Sequence, residues 1–118
     1  MGRVTTPAKI NAHGSPPKVI EEYFGLSTDG GDAVSIAVMR SPAGWSEPAQ
    51  TPEFDEYTVV LKGELHVHLA DETLTVAAGH AVHLVAGEQV RYATPDVDTD
   101  YVSVCLPAFS PARVHRAE

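Results

Sequence analysis

GWSEPAQTPEFDEYTVVLKG, residues 44–63, is the stretch of sequence that decides the fold. Its second half, EYTVVL, is rich in the β-branched and aromatic residues that favour strands. Successive side chains of a strand point to opposite faces, so Glu56 shares one face with Phe54, Thr58 and Val60. The sequence therefore predicts a strand that carries one carboxylate on a mostly apolar, inward face.

The rest of the chain consists of short strand-like runs separated by turn signals. These runs are VIEEYFGL, AVSIAVM, ELHVHL, TLTV, the two strands of AGHAVHLVAGEQVRYATP, and DYVSVCLP. Seven or eight short strands at this spacing predict a small all-β sandwich or barrel. We expect residues 1–17 to form a loose arm or an edge segment, residues 18–107 the barrel, and residues 108–118 a tail.

The composition is that of an ordinary globular chain with an acidic balance. The 118 residues are 43% hydrophobic and 20% charged, with a net charge of -8 at pH 7, which suits one domain with one core. Such a charge makes nucleic acid and an anionic membrane surface unexpected partners. No apolar run reaches the roughly 20 residues that span a bilayer. The single cysteine, Cys105, and the lack of an apolar leader predict a reduced, cytoplasmic protein.

The spacing of the glycines resembles that of the cupin superfamily, whose members are small jelly-roll barrels. The family's first motif is Gly, five residues, His-x-His, three or four residues, Glu, six residues, Gly. Residues 44–63 fit every spacing, with Gln50-Thr51-Pro52 in place of His-x-His and Glu56 in place of the glutamate.

The family's second motif is Gly, five residues, Pro-x-Gly, two residues, His, three residues, Asn. Residues 79–94 fit its glycines and spacing, with Val85, Val90 and Thr94 in place of the proline, histidine and asparagine. The resemblance covers residues 18–107 and implies a cupin-type double-stranded β-helix, or jelly-roll barrel. Within the superfamily, FDEYTVVLKGELHVHL looks most similar to the cupin of the ethanolamine-utilisation operon.

A typical cupin holds a metal with three histidines and a glutamate, and this chain departs from that set. The corresponding positions hold Gln50, Pro52, Glu56 and Val90. Proline and valine have no side-chain ligand atom, and imidazole is what suits zinc, iron, nickel or copper. We therefore expect no cofactor. One alternative is a metal held by altered ligands, namely Glu56, Gln50, Glu53 and His83. Another is Mg²⁺ or Mn²⁺ on the carboxylates of Glu47, Glu53, Asp55 and Glu56.

Glu56 is the first candidate catalytic residue, because a carboxylate among apolar side chains has a raised pKa and can move protons near neutrality. Its expected partners are His83, which would meet it across the barrel, and Tyr92, on the interior face of the second motif. The candidate substrate-binding residues are Gln50, Glu53, Thr58, Val90 and Trp45. Each also has a structural interpretation, such as a hydrogen-bonded carboxylate or a packed aromatic ring.

His66 and His68 form an H-x-H pair that invites comparison with a metal site. They lie on the strand face opposite Leu65 and Val67, so we expect them to face solvent or a neighbouring subunit. With Glu64 on the same face, adventitious metal binding is conceivable there. The main site is therefore expected in the barrel interior instead.

The sequence thus predicts a small-molecule-binding cupin, in the form of a metal-independent acid/base enzyme. An isomerase, lyase, dehydratase or cyclase acting on a small metabolite, in biosynthesis or catabolism, would suit these residues. The alternatives are a non-catalytic binding or regulatory cupin with the same cavity, and a metal cupin with altered ligands. The resemblance also implies a homodimer, because small cupins commonly pair through exposed strands.

Overall fold

The computed structural model describes residues 2–12 and 14–117, and these residues are almost entirely β-structure. The strands are β1 (Ala8–Ala12), β2 (Lys18–Phe24), β3 (Ser35–Ser41), β4 (Trp45–Ser46), β5 (Asp55–Lys62), β6 (Glu64–Leu69), β7 (Thr73–Ala77), β8 (Ala81–Leu84), β9 (Val90–Thr94) and β10 (Thr99–Leu106), followed by the helix α1 (Pro111–Val114). With four residues, α1 is too short to cross a membrane, and no other described helix could do so.

The strands form two antiparallel sheets. The six-stranded sheet has the order β1-β2-β3-β10-β5-β8, and the four-stranded sheet has the order β4-β9-β6-β7. The main core lies between them, with Val60 and Tyr101 from the first sheet packed against Leu65 and Val67 from the second. This is the jelly-roll barrel that the sequence predicts.

The alternation predicted for β5 is confirmed. Glu56, Thr58 and Val60 are buried, whereas Tyr57 and Val59 on the other face are 43% and 45% exposed. The same alternation in β6 buries Leu65 and Val67 and leaves the two histidines on the outer face. Burial of apolar side chains on one face fixes which residues of each strand can reach the interior.

The segments on either side of the predicted barrel are part of the folded structure. β1 pairs with β2 in antiparallel register, with Ile10 opposite Ile20, so the predicted arm contains an edge strand. The tail folds back through α1, where Val114 packs with Phe54 and Cys105 in a second, smaller core. Both segments, β1 and the tail, therefore lie where their side chains can line the interior.

Gly63, in the turn between β5 and β6, makes a close approach that no other residue would tolerate. Its φ is +83°, and a Cβ there would lie 2.5 Å from both the carbonyl oxygen of Asp98 and the hydroxyl of Thr99. We expect Gly63→Ala to lower the free energy of unfolding by about 2–4 kcal/mol, through left-handed backbone strain plus overpacking. Urea denaturation measures the loss.

Gly79→Ala is the matched control for this prediction. Gly79 has nearly the same φ, +84°, but a Cβ there would meet nothing within 4 Å. It should therefore show only the backbone strain, about 1–2 kcal/mol. Equal losses in the two variants would show that the close approach at Gly63 carries no cost of its own.

Candidate functional site

A cavity of about 260 Å³ lies against the inner face of the six-stranded sheet. Part of its wall is apolar and comes from β1, β2, β3, and the segments that flank β5 and α1; these side chains include Ile10, Ile20, Met39, Phe54 and Phe109. The polar side chains of the wall include Lys18, Glu47, Gln50, Glu56, Tyr92, Tyr101 and Arg116. Three carboxylates, Glu22, Glu47 and Glu56, thus share one small, largely apolar space with two cationic side chains.

Glu56 and Tyr92 form a hydrogen-bonded pair in this wall. The Tyr92 hydroxyl donates to Oε1 of Glu56 at 2.9 Å, and the carboxylate residue is 6% exposed. Burial raises the pKa of Glu56, although the hydroxyls of Tyr92 and Ser103 and the charge of Lys18 act in the opposite direction. Burial and the neighbouring Glu56 charge raise the pKa of Tyr92 well above its usual value, so its hydroxyl stays a donor. Both residues occupy the interior positions that the sequence predicts, and their catalytic role stays a prediction.

Lys18 is a buried cation in the same wall. It is 5% exposed, its Nζ donates to the Tyr101 hydroxyl at 3.0 Å, and it lies 4.3 Å from the centre of the Trp45 ring. Burial alone would lower the pKa of Lys18, but Tyr101 and the carboxylates of Glu47 and Glu56 outweigh it and leave the pKa above its ordinary value. The ammonium group is therefore charged at neutral pH, stabilised in part by the face of the indole ring.

Glu47 faces this cation from the chain after β4. Its Oε1 lies 4.0 Å from Nζ of Lys18, and its Oε2 accepts a weak hydrogen bond of 3.4 Å from the backbone N–H of Tyr92. Burial raises the pKa of Glu47 to about 7; Lys18 lowers it, and the charge of Glu56 raises it further. This carboxyl group consequently changes charge close to neutral pH.

The residues at the cavity do not fit the metal set that the cupin motifs imply. Of the four motif positions, Gln50 and Glu56 line the cavity, whereas Pro52 lies outside its wall and Val90 is part of the hydrophobic core. The histidines of the described chain, namely His66, His68, His80, His83 and His115, are all absent from the cavity wall. The donors that the wall offers include carboxylate and amide oxygens and the thiol of Cys105, but not the imidazole that suits transition metals. Burial raises the pKa of the Cys105 thiol and so disfavours the thiolate that would bind a metal.

A separate group of potential ligands lies on the outer surface. Three residues, Glu64, His66 and Asp96, each offer one ligand atom, and these atoms lie within 4.8 Å of one another. The distance from His66 Nε2 to Glu64 Oε1 is 2.9 Å. The H-x-H pair thus points away from the cavity, as the alternation of β6 predicts. Its exposed position separates it from the buried carboxylates described above.

The prediction that His83 meets Glu56 across the barrel is wrong. The His83 side chain is 44% exposed on the outer face, where its ring stacks on Tyr57 at 4.2 Å and its Nε2 lies 3.6 Å from Asp55. The reason is the register between β5 and β8, which places His83 opposite Tyr57 and Leu84 opposite Glu56. Residues directly opposite each other in a sheet share a face, so His83 follows Tyr57 outward.

Only one of the five predicted substrate-binding residues, Gln50, lines the cavity. Glu53 is exposed and pairs with His115, outside the wall. Thr58 is buried against Ser103, with 3.4 Å between their hydroxyl oxygens. Val90 and Trp45 are packed in the main core, so these four positions give no direct contact with a molecule in the cavity.

The sequence-based prediction missed Lys18 and Arg116, and it considered Glu47 only as one carboxylate of an alternative Mg²⁺ or Mn²⁺ site. The sequence does contain a signal for Lys18: in KVIEE, Lys18 and Glu22 lie on the same strand face as the apolar Ile20. A lysine on the apolar face of a strand is unusual and marks a buried charge. Glu47 and Arg116 lie in irregular segments, where no periodicity indicates which way a side chain points.

The comparisons with known proteins identify the class of fold. No protein-family model matches the chain. The polyketide cyclase RemF from Streptomyces resistomycificus superposes with a TM-score of 0.77 at 21% identity, covering 100% of this chain and 86% of that one. The ethanolamine utilization protein Q of Salmonella typhimurium gives 0.68 at 20% identity, covering 92% of this chain and 100% of that one. The chain therefore has the fold of the cupin superfamily, as the spacing of its glycines predicts.

One curated relative is more similar in sequence. The endoribonuclease YbeY of Myxococcus xanthus is 43% identical over 99 residues, which make up 83% of this chain and 34% of that protein. The chain thus spans about a third of the length of the relative it matches.

Proposed function

We propose that this chain is a small-molecule-binding cupin that catalyses proton transfer on an organic metabolite without a metal, as an isomerase, lyase, dehydratase or cyclase. The observation that carries the proposal is the Glu56–Tyr92 pair buried in the wall of the cavity. The volume, about 260 Å³, lies just below the roughly 300–1,000 Å³ common for ligand sites. It suits a compact metabolite.

Glu56 has the properties of a general base in this cavity. Its carboxylate accepts a proton from a substrate C–H or O–H and becomes a carboxylic acid, while the electron pair stays on the substrate as an enolate or a new double bond. Returning the proton to another atom completes an isomerisation, and giving it to a departing hydroxyl completes a dehydration. The Tyr92 hydroxyl, which stays protonated, holds the carboxylate in place at 2.9 Å.

The runner-up is a cupin that binds a ligand in the same cavity without turnover, and no contact in the cavity distinguishes the two. The Myxococcus relative is named as an endoribonuclease, and a segment similar to this chain forms about a third of that longer protein. RNA cleavage by this chain would therefore be a separate proposal. A net charge of -8 disfavours RNA binding by this chain itself, because phosphate contacts require cationic side chains.

Hydrogen exchange into candidate substrates tests the proposal even though the product is unidentified. The purified, tag-free protein is incubated in D₂O with a library of small carbonyl compounds and phenols, and deuterium incorporation is followed by NMR. We expect enzyme-dependent exchange into at least one compound, at a rate that a chelator does not change. The metal content of the same sample is measured alongside.

Two results would contradict this proposal in different ways. Compounds that bind but never exchange would support the binding module instead of the enzyme. Exchange that disappears with chelator and returns with a divalent metal would overturn the metal-independent mechanism and direct attention to a carboxylate and amide metal site.

A further inference from the structure

The ammonium group of Lys18 has fewer acceptors than its donors require. A lysine ammonium carries three N–H donors. Among the described residues, the Tyr101 hydroxyl at 3.0 Å is its only hydrogen-bond acceptor. The Trp45 ring covers another direction at 4.3 Å, and the Glu47 oxygen at 4.0 Å is beyond hydrogen-bond distance. Lys18 is 5% exposed and lines the cavity. Its remaining N–H donors are therefore available to an acceptor group on a molecule in the cavity.

The charge of Lys18 and the apolar side chains around it limit the kind of acceptor that it can bind. Because its neighbours keep Lys18 protonated, it has no lone pair with which to attack a carbonyl carbon, so a covalent Schiff-base role does not suit it. A buried cation instead favours an anionic oxygen, with which it forms a charge-assisted hydrogen bond. The apolar side chains around it, such as Ile20 and Met39, suit the hydrocarbon part of the same molecule.

We propose that the cavity takes small organic acids, and that Lys18 Nζ and the Tyr101 hydroxyl bind the carboxylate of the ligand. This inference rests on the proposed function as a small-molecule site and assigns the ligand class to it. Glu56 lies close enough for its charge to act on Lys18, so a carboxylate held at Lys18 brings the rest of the acid within the space that Glu56 and Tyr92 line.

Binding of an acid at this place has a consequence for Glu47. The ligand carboxylate replaces Glu47 as the partner of Lys18, and Glu47 then faces an added negative charge in a buried space. The groups that face it are Lys18 from β2, Glu56 from β5, Tyr92 from β9, Tyr101 from β10 and Arg116 from the tail. With Lys18 engaged by the ligand, only the weak backbone hydrogen bond from Tyr92 and the charge of Arg116 oppose protonation, so we expect Glu47 to take up a proton as the acid binds.

Matched acids and amides test the assignment. Titration calorimetry at pH 7 compares benzoate, phenylacetate and salicylate with benzamide, phenylacetamide and salicylamide. We expect at least one acid to bind about 10-fold or more tightly than its amide, the effect of one charge-assisted hydrogen bond. In Lys18→Met, which keeps the length of the side chain, this preference should fall to about 2-fold or less. Lys62→Met, at an exposed position of β5, is the control and should keep the preference.

Proton uptake gives a second readout that needs no Lys18 variant. The binding heat of the preferred acid is measured at pH 7 in buffers of different ionisation enthalpy. The wild type should take up a fraction of a proton per acid bound, and Glu47→Gln should lose that uptake. This readout remains valid even if Lys18→Met does not fold.

The outcomes separate this inference from the proposed function. Amides that bind as tightly as their acids, or an acid preference that survives in a folded Lys18→Met, would overturn the role of Lys18 and leave the cavity as a small-molecule site. Binding by neither set would count against both proposals. Acid binding without any hydrogen exchange would support the assignment of organic acids as ligands and contradict the proposed proton-transfer activity.

Discussion

Glu56→Gln is expected to slow hydrogen exchange into any substrate of the cavity by about 10²–10⁴-fold, the usual contribution of a positioned general base. The amide has nearly the same shape and can still accept the hydrogen bond from Tyr92, but it cannot accept a substrate proton. Affinity for the same compound should stay within a few-fold, since the substitution keeps the shape of the cavity wall. The measurement is the rate of deuterium incorporation at saturating compound.

Glu53→Gln is the matched control for this loss. Glu53 is also a glutamate and lies just before the same strand, but it is exposed and pairs with His115 outside the cavity. Its exchange rate should equal that of the wild type. An unchanged rate in Glu56→Gln would remove Glu56 from the mechanism and turn attention to the other carboxylates of the cavity wall, Glu22 and Glu47.

Tyr92→Phe separates positioning from proton transfer. The hydroxyl of Tyr92 lowers the pKa of Glu56, so its removal should raise that pKa and move the acidic limb of the pH–rate profile to higher pH. Glu56→Gln should instead abolish the limb. This difference distinguishes a positioning residue from the base itself.

Glu47 is expected to make the fold less stable as the pH rises from about 4.5 to about 7. Its carboxyl has an ordinary pKa of 4.5 in the unfolded chain and about 7 in the folded protein, because burial disfavours the charged form. The folded state therefore binds this proton more tightly, and the stability it contributes is complete below about 4.5 and is lost as the pH passes through about 7. The shift corresponds to about 3 kcal/mol over this range.

Urea denaturation from pH 4.5 to 7.5 measures this slope, and Glu47→Gln should flatten it. Comparing slopes avoids the separate effect of the amide on the buried charge of Lys18. Glu56, whose pKa is also raised, should leave a residual slope of the same sign in the variant. Glu53→Gln serves again as the control and should follow the wild type. Parallel curves for the wild type and Glu47→Gln would show that Glu47 is not protonated in the folded state near neutrality.

The fold was predictable because its determinants are local. The alternation along β5 is set by the apolar partners of Glu56, and a strand with one buried face can place them in only one way. Gly63 is required by a turn that no Cβ would fit. Such constraints act within a few residues of sequence, where patterns can be recognised.

The site was less predictable because its parts come from distant segments. Whether His83 faces inward depends on the register of β8 against β5, which is fixed by pairing across the sheet and not by the sequence of β8 alone. Lys18 and Glu47 lie 4.0 Å apart in space but on separate elements, β2 and the chain after β4. Nothing in either local sequence indicates that a partner of opposite charge lies nearby in the fold.

The cavity wall also includes β1 and the tail, which lie outside the two glycine motifs. Ile10, Asn11 and Ala12 come from one segment, and Phe109, Pro111 and Arg116 from the other. Neither contributes to the main core between the sheets, although Phe109 packs against the second, smaller core. Most of these positions are therefore under weaker packing constraints than the barrel. Two descendants of one ancestor can therefore keep the same barrel and still differ in the ligands they bind, through changes in β1 and the tail. Similarity over the barrel alone then overstates the similarity of their ligands.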